Sequence, residues 1–290
     1  MRTHEIGWKT LPGRDSLPLV AGVGALYLLV TLGERILSGV VPIPTLSVVD
    51  WTAVLPVPVL LAAGPAALWG IPLGYVLSDA ATSSLGPHTL VGVGAHLYLG
   101  YATCKLLSWF DGDASRGSVS VGLGRFVLAV ALAAAGAAAI SGWGSEVVHQ
   151  TPFFIAVLPA FAEFALLGVL FALPLAGLFR RAASAGTSAL GVTAAPEQQF
   201  DGRTNLRRVA AVTVGWLVVG TVASVGYRAF EKLPAGTFTS RDLEFVLLLR
   251  QPTLFGPGAG RLQVLLGAVL LSVLVVLLVW PSERAEVSTR

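Results

Sequence analysis

Asp79, His88, His96, Glu146, His149 and Glu163 are ionisable residues set within or at the ends of long apolar runs. A charge at such a position is costly and usually has work to do. A carboxylate beside an imidazole can share a proton, hold a cation or hydrogen-bond a polar ligand. The same pairing can equally be a satisfied buried contact that fixes helix register. At 1.5 Å per helical residue, His96 falls about 12 Å below the outer end of its run and Glu163 about 15 Å below that of its own. The two are therefore expected at matching depth. Glu146 and His149, three residues apart, form either part of a site or an interfacial polar turn. Trp143 stands beside them, although Trp51, Trp69 and Trp143 also suit an interfacial belt. The candidate substrate-binding set is Asp79, His96, Trp143, Glu146, His149 and Glu163.

His and carboxylate side chains also ligate zinc, nickel or cobalt. Here the spacing argues against it: no H-E-x-x-H occurs, and His88, His96 and His149 belong to different segments. Neither a metal nor another cofactor is expected. Catalytic signatures are missing too, with no G-x-S-x-G, no aspartate-rich diphosphate motif, no phosphate-cradling or dinucleotide glycine loop, and no histidine cluster of the di-iron oxygenase kind. Ser145 and His149 lie one helical turn apart, but nothing around them supplies an oxyanion hole. An enzyme is not expected.

The elements that must carry these residues follow from composition. Hydrophobic residues make up 54% of the 290 and charged ones 12%, with a mean hydropathy of +0.77, which is too apolar for an ordinary soluble domain. The runs are continuously apolar rather than alternating, so helices and not barrel strands are expected to span a bilayer. Helices are predicted over residues 17–32, 46–63, 65–83, 88–109, 121–141 and 152–179, then 209–230 and 262–280. This is an all-α polytopic membrane bundle: a six-helix core over 1–180, a polar cytoplasmic linker over 181–208, and a two-helix extension over 209–290. The first run follows basic residues without a small-residue cleavage site ahead of a polar domain, so an uncleaved helix is expected rather than a signal peptide. Cys104 stands alone in an apolar run, which leaves no disulfide framework within the chain.

Charge sets the orientation. With the N-terminus inside, Arg2, Lys9, Arg14, Lys105, Arg116, Arg125, Arg180, Arg181, Arg203, Arg207 and Arg208 fall on the cytoplasmic side, and through six helices only Arg35 falls outside. The last external loop, residues 231–260, breaks the pattern with Lys232, Arg241 and Arg250, and residues 240–251 read as a short interfacial helix. This asymmetry explains the basic pI without nucleic acid. It predicts a cell-membrane protein with a cytoplasmic N-terminus and an acidic outer surface bearing Glu34, Asp50, Asp79 and Glu146, suited to a cationic or neutral polar solute. Residues 51–83 are the weak point, since Pro56, Pro58, Pro65 and Pro72 interrupt about 33 residues needed for two crossings. Gly64-Pro65 is the expected turn, and two crossings keep the basic N-terminus inside.

Three features resemble the substrate-binding S component of energy-coupling-factor (ECF) transporters. They are the six runs over residues 17–179, Ala21-x-x-x-Ala25 in the first, and VPVLLAAGPAALWGIPLGYVLSD from Val57 to Asp79 with its proline-glycine break and glycine-spaced helix. The resemblance implies a solute site near the outer surface. It also implies coupling through Ala21 and Ala25 to a transmembrane partner subunit that works with a pair of ATPases. The two helices after Arg208 depart from that pattern. A second resemblance is to the MASE1-type sensory membrane domain of about eight helices. It rests on LLAAGPAALWGIPLG, on the Trp143 segment and on GVLFALPLAGLF from Gly168 to Phe179, and implies a ligand-binding sensor that signals to a partner.

Overall fold

The computed structural model describes residues 16–40, 50–110, 122–149, 151–186, 202–231 and 261–279. Among them the chain is all-helical, with eight α-helices: α1 Leu17–Val40, α2 Pro56–Ala63, α3 Gly70–Ala81, α4 Pro87–Phe110, α5 Leu123–His149, α6 Phe153–Gly186, α7 Gly202–Glu231 and α8 Arg261–Val279. Two 3-10 segments, Trp51–Val54 and Pro65–Trp69, precede α2 and α3. Five helices are long and apolar enough to cross a membrane: Leu17–Leu37, Pro87–Phe110, Leu123–His149, Phe153–Phe179 and Thr204–Gly226. Their outward side chains are large and apolar, as in Leu158, Leu166 and Leu170 on α6 or Val214, Val218 and Val222 on α7. Such surfaces suit hydrocarbon.

Several helices run further than hydropathy predicts. α1 continues through Glu34 and Arg35, and α5 continues to His149, so Glu146 is a helical residue rather than part of a turn. Nothing in Gly142–Val148 breaks a helix, and polarity alone does not end one. The expected linker over 181–208 is partly helical, because α6 reaches Gly186 and α7 starts at Gly202. The predicted interfacial helix over 240–251 lies outside the described residues.

Tertiary contacts group the chain into two units, residues 1–104 with 166–195, and residues 105–165 with 196–290. This grouping follows packing rather than chain order. In the first unit, α1 and α3 lie parallel: Gly70 meets Val20 and Val23, and Gly74 meets Gly24 and Tyr27. A Cβ on Gly70 would come within 2.7 Å of the Val20 carbonyl oxygen, and one on Gly74 within 2.7 Å of that of Gly24. Glycine at both positions is what lets the backbones approach. The helix thus packs through Val23, Gly24 and Tyr27, while Ala21 and Ala25 stay exposed. Between them the chain descends and returns, since Thr52 stands beside Tyr27 and Gly70 stands a turn lower beside Val20. The reversal occurs at Gly64, whose φ of 77° favours glycine and whose N–H closes α2 on the Leu60 carbonyl at 2.9 Å. Pro56 and Pro65 sit at helix starts, and Pro58 and Pro72 within the first turns of α2 and α3, where no intrahelical donor is lost. Residues 51–81 are therefore two antiparallel legs. α4 then passes beside both legs, with Gly92 beside Tyr75 of α3 and Gly100 beside Leu60 and the Pro56 carbonyl of α2.

The second unit is built on α5, with α7 and α8 packed against it. Of its apolar span 56% is buried, against 22% for the span in α6, because Ala129–Ala139 presents almost only small residues. Phe153 fills space left by Gly142 and Gly220, and Trp143 lies against Gly267.

Candidate functional site

The site is assembled where the C-terminal part of α1, the first 3-10 turn, the end of α3 and the start of α4 meet. Asp50 caps the 3-10 turn, accepting from the Thr52 N–H at 3.0 Å. The Thr52 hydroxyl donates to the same Asp50 oxygen, which leaves its own oxygen free to accept from the Tyr27 hydroxyl at 2.8 Å. From α4, His96 closes the cluster: its Nε2 lies 3.6 Å from Asp50 Oδ2 and 3.5 Å from Thr52 Oγ1. Its Nδ1 is 2.8 Å from the Gly92 carbonyl oxygen. A carbonyl can only accept, so Nδ1 carries a proton and Nε2 is the atom turned toward Asp50. The imidazole is held between aromatic rings, its centroid 5.9 Å from that of Tyr27 at 82° and 5.4 Å from that of Tyr75.

A second carboxylate–imidazole pair stands nearby on the α3–α4 turn. Asp79 accepts from Thr89 at 2.6 Å and from Ser84 at 3.3 Å, and His88 Nε2 lies 3.7 Å from Asp79 Oδ2. The turn is tied to the same residue, since the Ser84 N–H donates to the Asp79 carbonyl at 2.8 Å. Ser83 between them holds a positive φ of 55°.

Tyr27, Asp50, Thr52 and Asp79 border a cavity of about 160 Å³ whose lining also includes Thr31, Glu34, Arg35, Tyr75 and Ser78. Its lining brings together three carboxylates, two phenol rings, two threonine hydroxyls, the Ser78 hydroxyl and one cation, Arg35. Its volume is well below the approximately 300–1,000 Å³ of drug-sized sites. It suits a small polar or cationic molecule, held by carboxylates and by the faces of Tyr27 and Tyr75. Among the described residues, no group of three His, Cys, Asp or Glu side chains is arranged to hold a metal ion.

Of the sequence-derived set, Asp79 lines this cavity and His96 stands directly behind it. The carboxylate that His96 faces is Asp50. Trp143, Glu146, His149 and Glu163 belong to the other unit. There Glu146 is buried, accepting from the Ser224 hydroxyl at 2.7 Å and from the Gln263 side-chain amide. Ser224 in turn accepts from the Phe153 N–H at 3.2 Å. Trp143 donates to the Gln263 carbonyl at 3.0 Å, His149 is exposed at the end of α5, and Glu163 is half-buried on α6. Sequence reasoning passed over Tyr27, Tyr75 and Thr52, and placed Glu34 and Asp50 only on the outer surface. One signal for Asp50 existed, since Asp-x-Thr directly before an apolar helix is an N-cap pattern. Tyr27 and Tyr75 carried no such mark within apolar runs. No protein-family model, curated protein or solved structure matches this chain.

Proposed function

We propose that this protein is a membrane-embedded binder of a small cationic or neutral polar solute, acting as the substrate-specific component of an uptake transporter and changing no covalent bond. The observation that carries this reading is the cavity in the first unit, where Glu34, Asp50 and Asp79 gather beside Tyr27 and Tyr75. Three carboxylates against the single Arg35 leave the cavity net negative, which attracts cations and repels phosphates. The cavity volume favours a compact amine over a vitamin-sized ligand. In this reading the protein sits in the cell membrane with its N-terminus in the cytoplasm, which puts the site toward the outer face.

Exposure of Ala21 and Ala25 on α1 supports their role as the face that meets a transmembrane coupling subunit, itself driven by ATPases, because small residues permit close helix approach. The test is substitution of both by leucine, with solute binding to the purified protein and uptake by whole cells measured side by side. Binding should persist while uptake stops; normal uptake removes the coupling assignment. A sensory membrane domain is the second reading, favoured by the eight α-helices of the described residues. Purification from native membranes separates the two, since co-purified ATPases support transport and a soluble signalling protein supports sensing.

A further inference from the structure

We infer that His96 holds an exchangeable proton against Asp50, and that a cationic solute binds this cavity in exchange for that proton. The inference rests on the solute-binding reading above and adds the coupling ion. Its geometric basis is the fixed imidazole. With Nδ1 donating to the Gly92 carbonyl oxygen, Nε2 is turned to Asp50 Oδ2 at 3.6 Å. A bare Nε2 lone pair facing a carboxylate is repelled, whereas an Nε2–H is attracted. The geometry therefore directs an Nε2–H at Asp50.

Tyr27 and Tyr75 pack against the imidazole; the cavity that Asp50 shares also presents Glu34, Arg35 and Asp79, and His88 pairs with Asp79. Asp50 is common to the cavity and to the imidazole: its side chain is 40% exposed, while that of His96 is 2% exposed. A cation entering the cavity meets Asp50 from the open side and competes with the imidazolium for the same carboxylate. Holding both positive charges against one aspartate in a low-dielectric bundle is unfavourable. The imidazolium loses the Nε2 proton, its N–H electron pair staying on the nitrogen, and the proton passes by way of Asp50 to water. One positive charge arrives and one leaves, so the net charge of the cluster is unchanged.

The test uses purified full-length protein in nanodiscs and four probes: ammonium, methylammonium, n-butylammonium and tetramethylammonium. Calorimetric titration in phosphate and in HEPES, neither of which supplies a competing small ammonium cation, reads proton release at one pH from the difference in apparent enthalpy. The exchange predicts about one proton released per cation bound, and an apparent affinity that rises about tenfold per pH unit where release is complete. In His96→Gln any residual binding should give the same enthalpy in both buffers, while His149→Gln, in the other unit, should still release the proton. Cation binding with no buffer dependence in the wild type overturns the exchange and leaves the solute-binding reading standing. Proton release that persists in His96→Gln overturns the assignment to His96. Failure of all four probes to bind overturns the cation site itself, and the exchange with it.

Discussion

Replacing Glu146 tests whether that buried carboxylate is a helix clamp rather than a ligand for solute. Its two oxygens accept from Ser224 on α7 and Gln263 on α8, so one side chain on α5 ties three helices together. In Glu146→Leu both donors lose their acceptor. An orphaned buried donor costs about 1–3 kcal/mol, and interhelical hydrogen bonds in membrane proteins average about 0.6 kcal/mol with a maximum near 1.7. On the membrane figures, two lost partners therefore amount to about 1–3 kcal/mol. Glu146→Gln should be milder. Its oxygen can turn to the Gln263 amide, and its NH2 can donate to the second lone pair of Ser224, which already accepts from the Phe153 N–H. A loss of about 1 kcal/mol is expected. Denaturant unfolding in detergent, followed by tryptophan fluorescence from Trp143 and Trp216, would rank wild type above Glu146→Gln above Glu146→Leu. Solute binding at the Asp50 cavity should survive in the glutamine variant. A leucine variant as stable as wild type, or a glutamine variant equally damaged, refutes the clamp.

Other substitutions probe the first unit. Gly74→Ala places a Cβ 2.7 Å from the Gly24 carbonyl oxygen, a backbone atom that cannot step aside, and should destabilise by about 1–3 kcal/mol. Gly33→Ala on the same pair of helices meets nothing within 4 Å, so thermal unfolding should show it neutral or more stable by up to about 1 kcal/mol. Equal effects at the two glycines would discount close α1–α3 packing. Asp50→Asn removes the carboxylate shared by the cavity and His96, and ammonium binding should weaken tenfold or more, about 1.4 kcal/mol. Unchanged affinity in a titration would move the cation site elsewhere.

Membrane character, helix type and approximate helix positions were legible in the sequence, because hydrocarbon forces each backbone group to be satisfied within its own segment. Long apolar runs can then be only helices, and their number follows from counting. The reversal at Gly64 was legible for a related reason: a glycine free to take positive φ, followed by a proline that cannot continue a helix, marks a turn in any context. Asp79 and His96 could be singled out because a titratable group within an apolar run stands out regardless of its neighbours. The central place of α5 could be read from its run of alanine and glycine.

The partners of those groups could not be read. His96 could have met any acid at similar depth, and it meets Asp50, because the parallel packing of α1 and α3 through Gly70 and Gly74 draws the 3-10 turn over Tyr27 and against α4. Tyr27 and Tyr75 became site residues only through that packing; along the chain they are aromatic positions in apolar helices like any others. Glu146 looked like the same kind of residue as Asp79, yet the fold placed two donors on it and none of the cavity around it. Hydrophobicity is a property each residue carries wherever it stands, so the sequence by itself determined a helical protein with segments long and apolar enough to span a membrane. Proximity between residues tens of positions apart depends on which helix faces interlock, and only the tertiary structure decided which charges share a site.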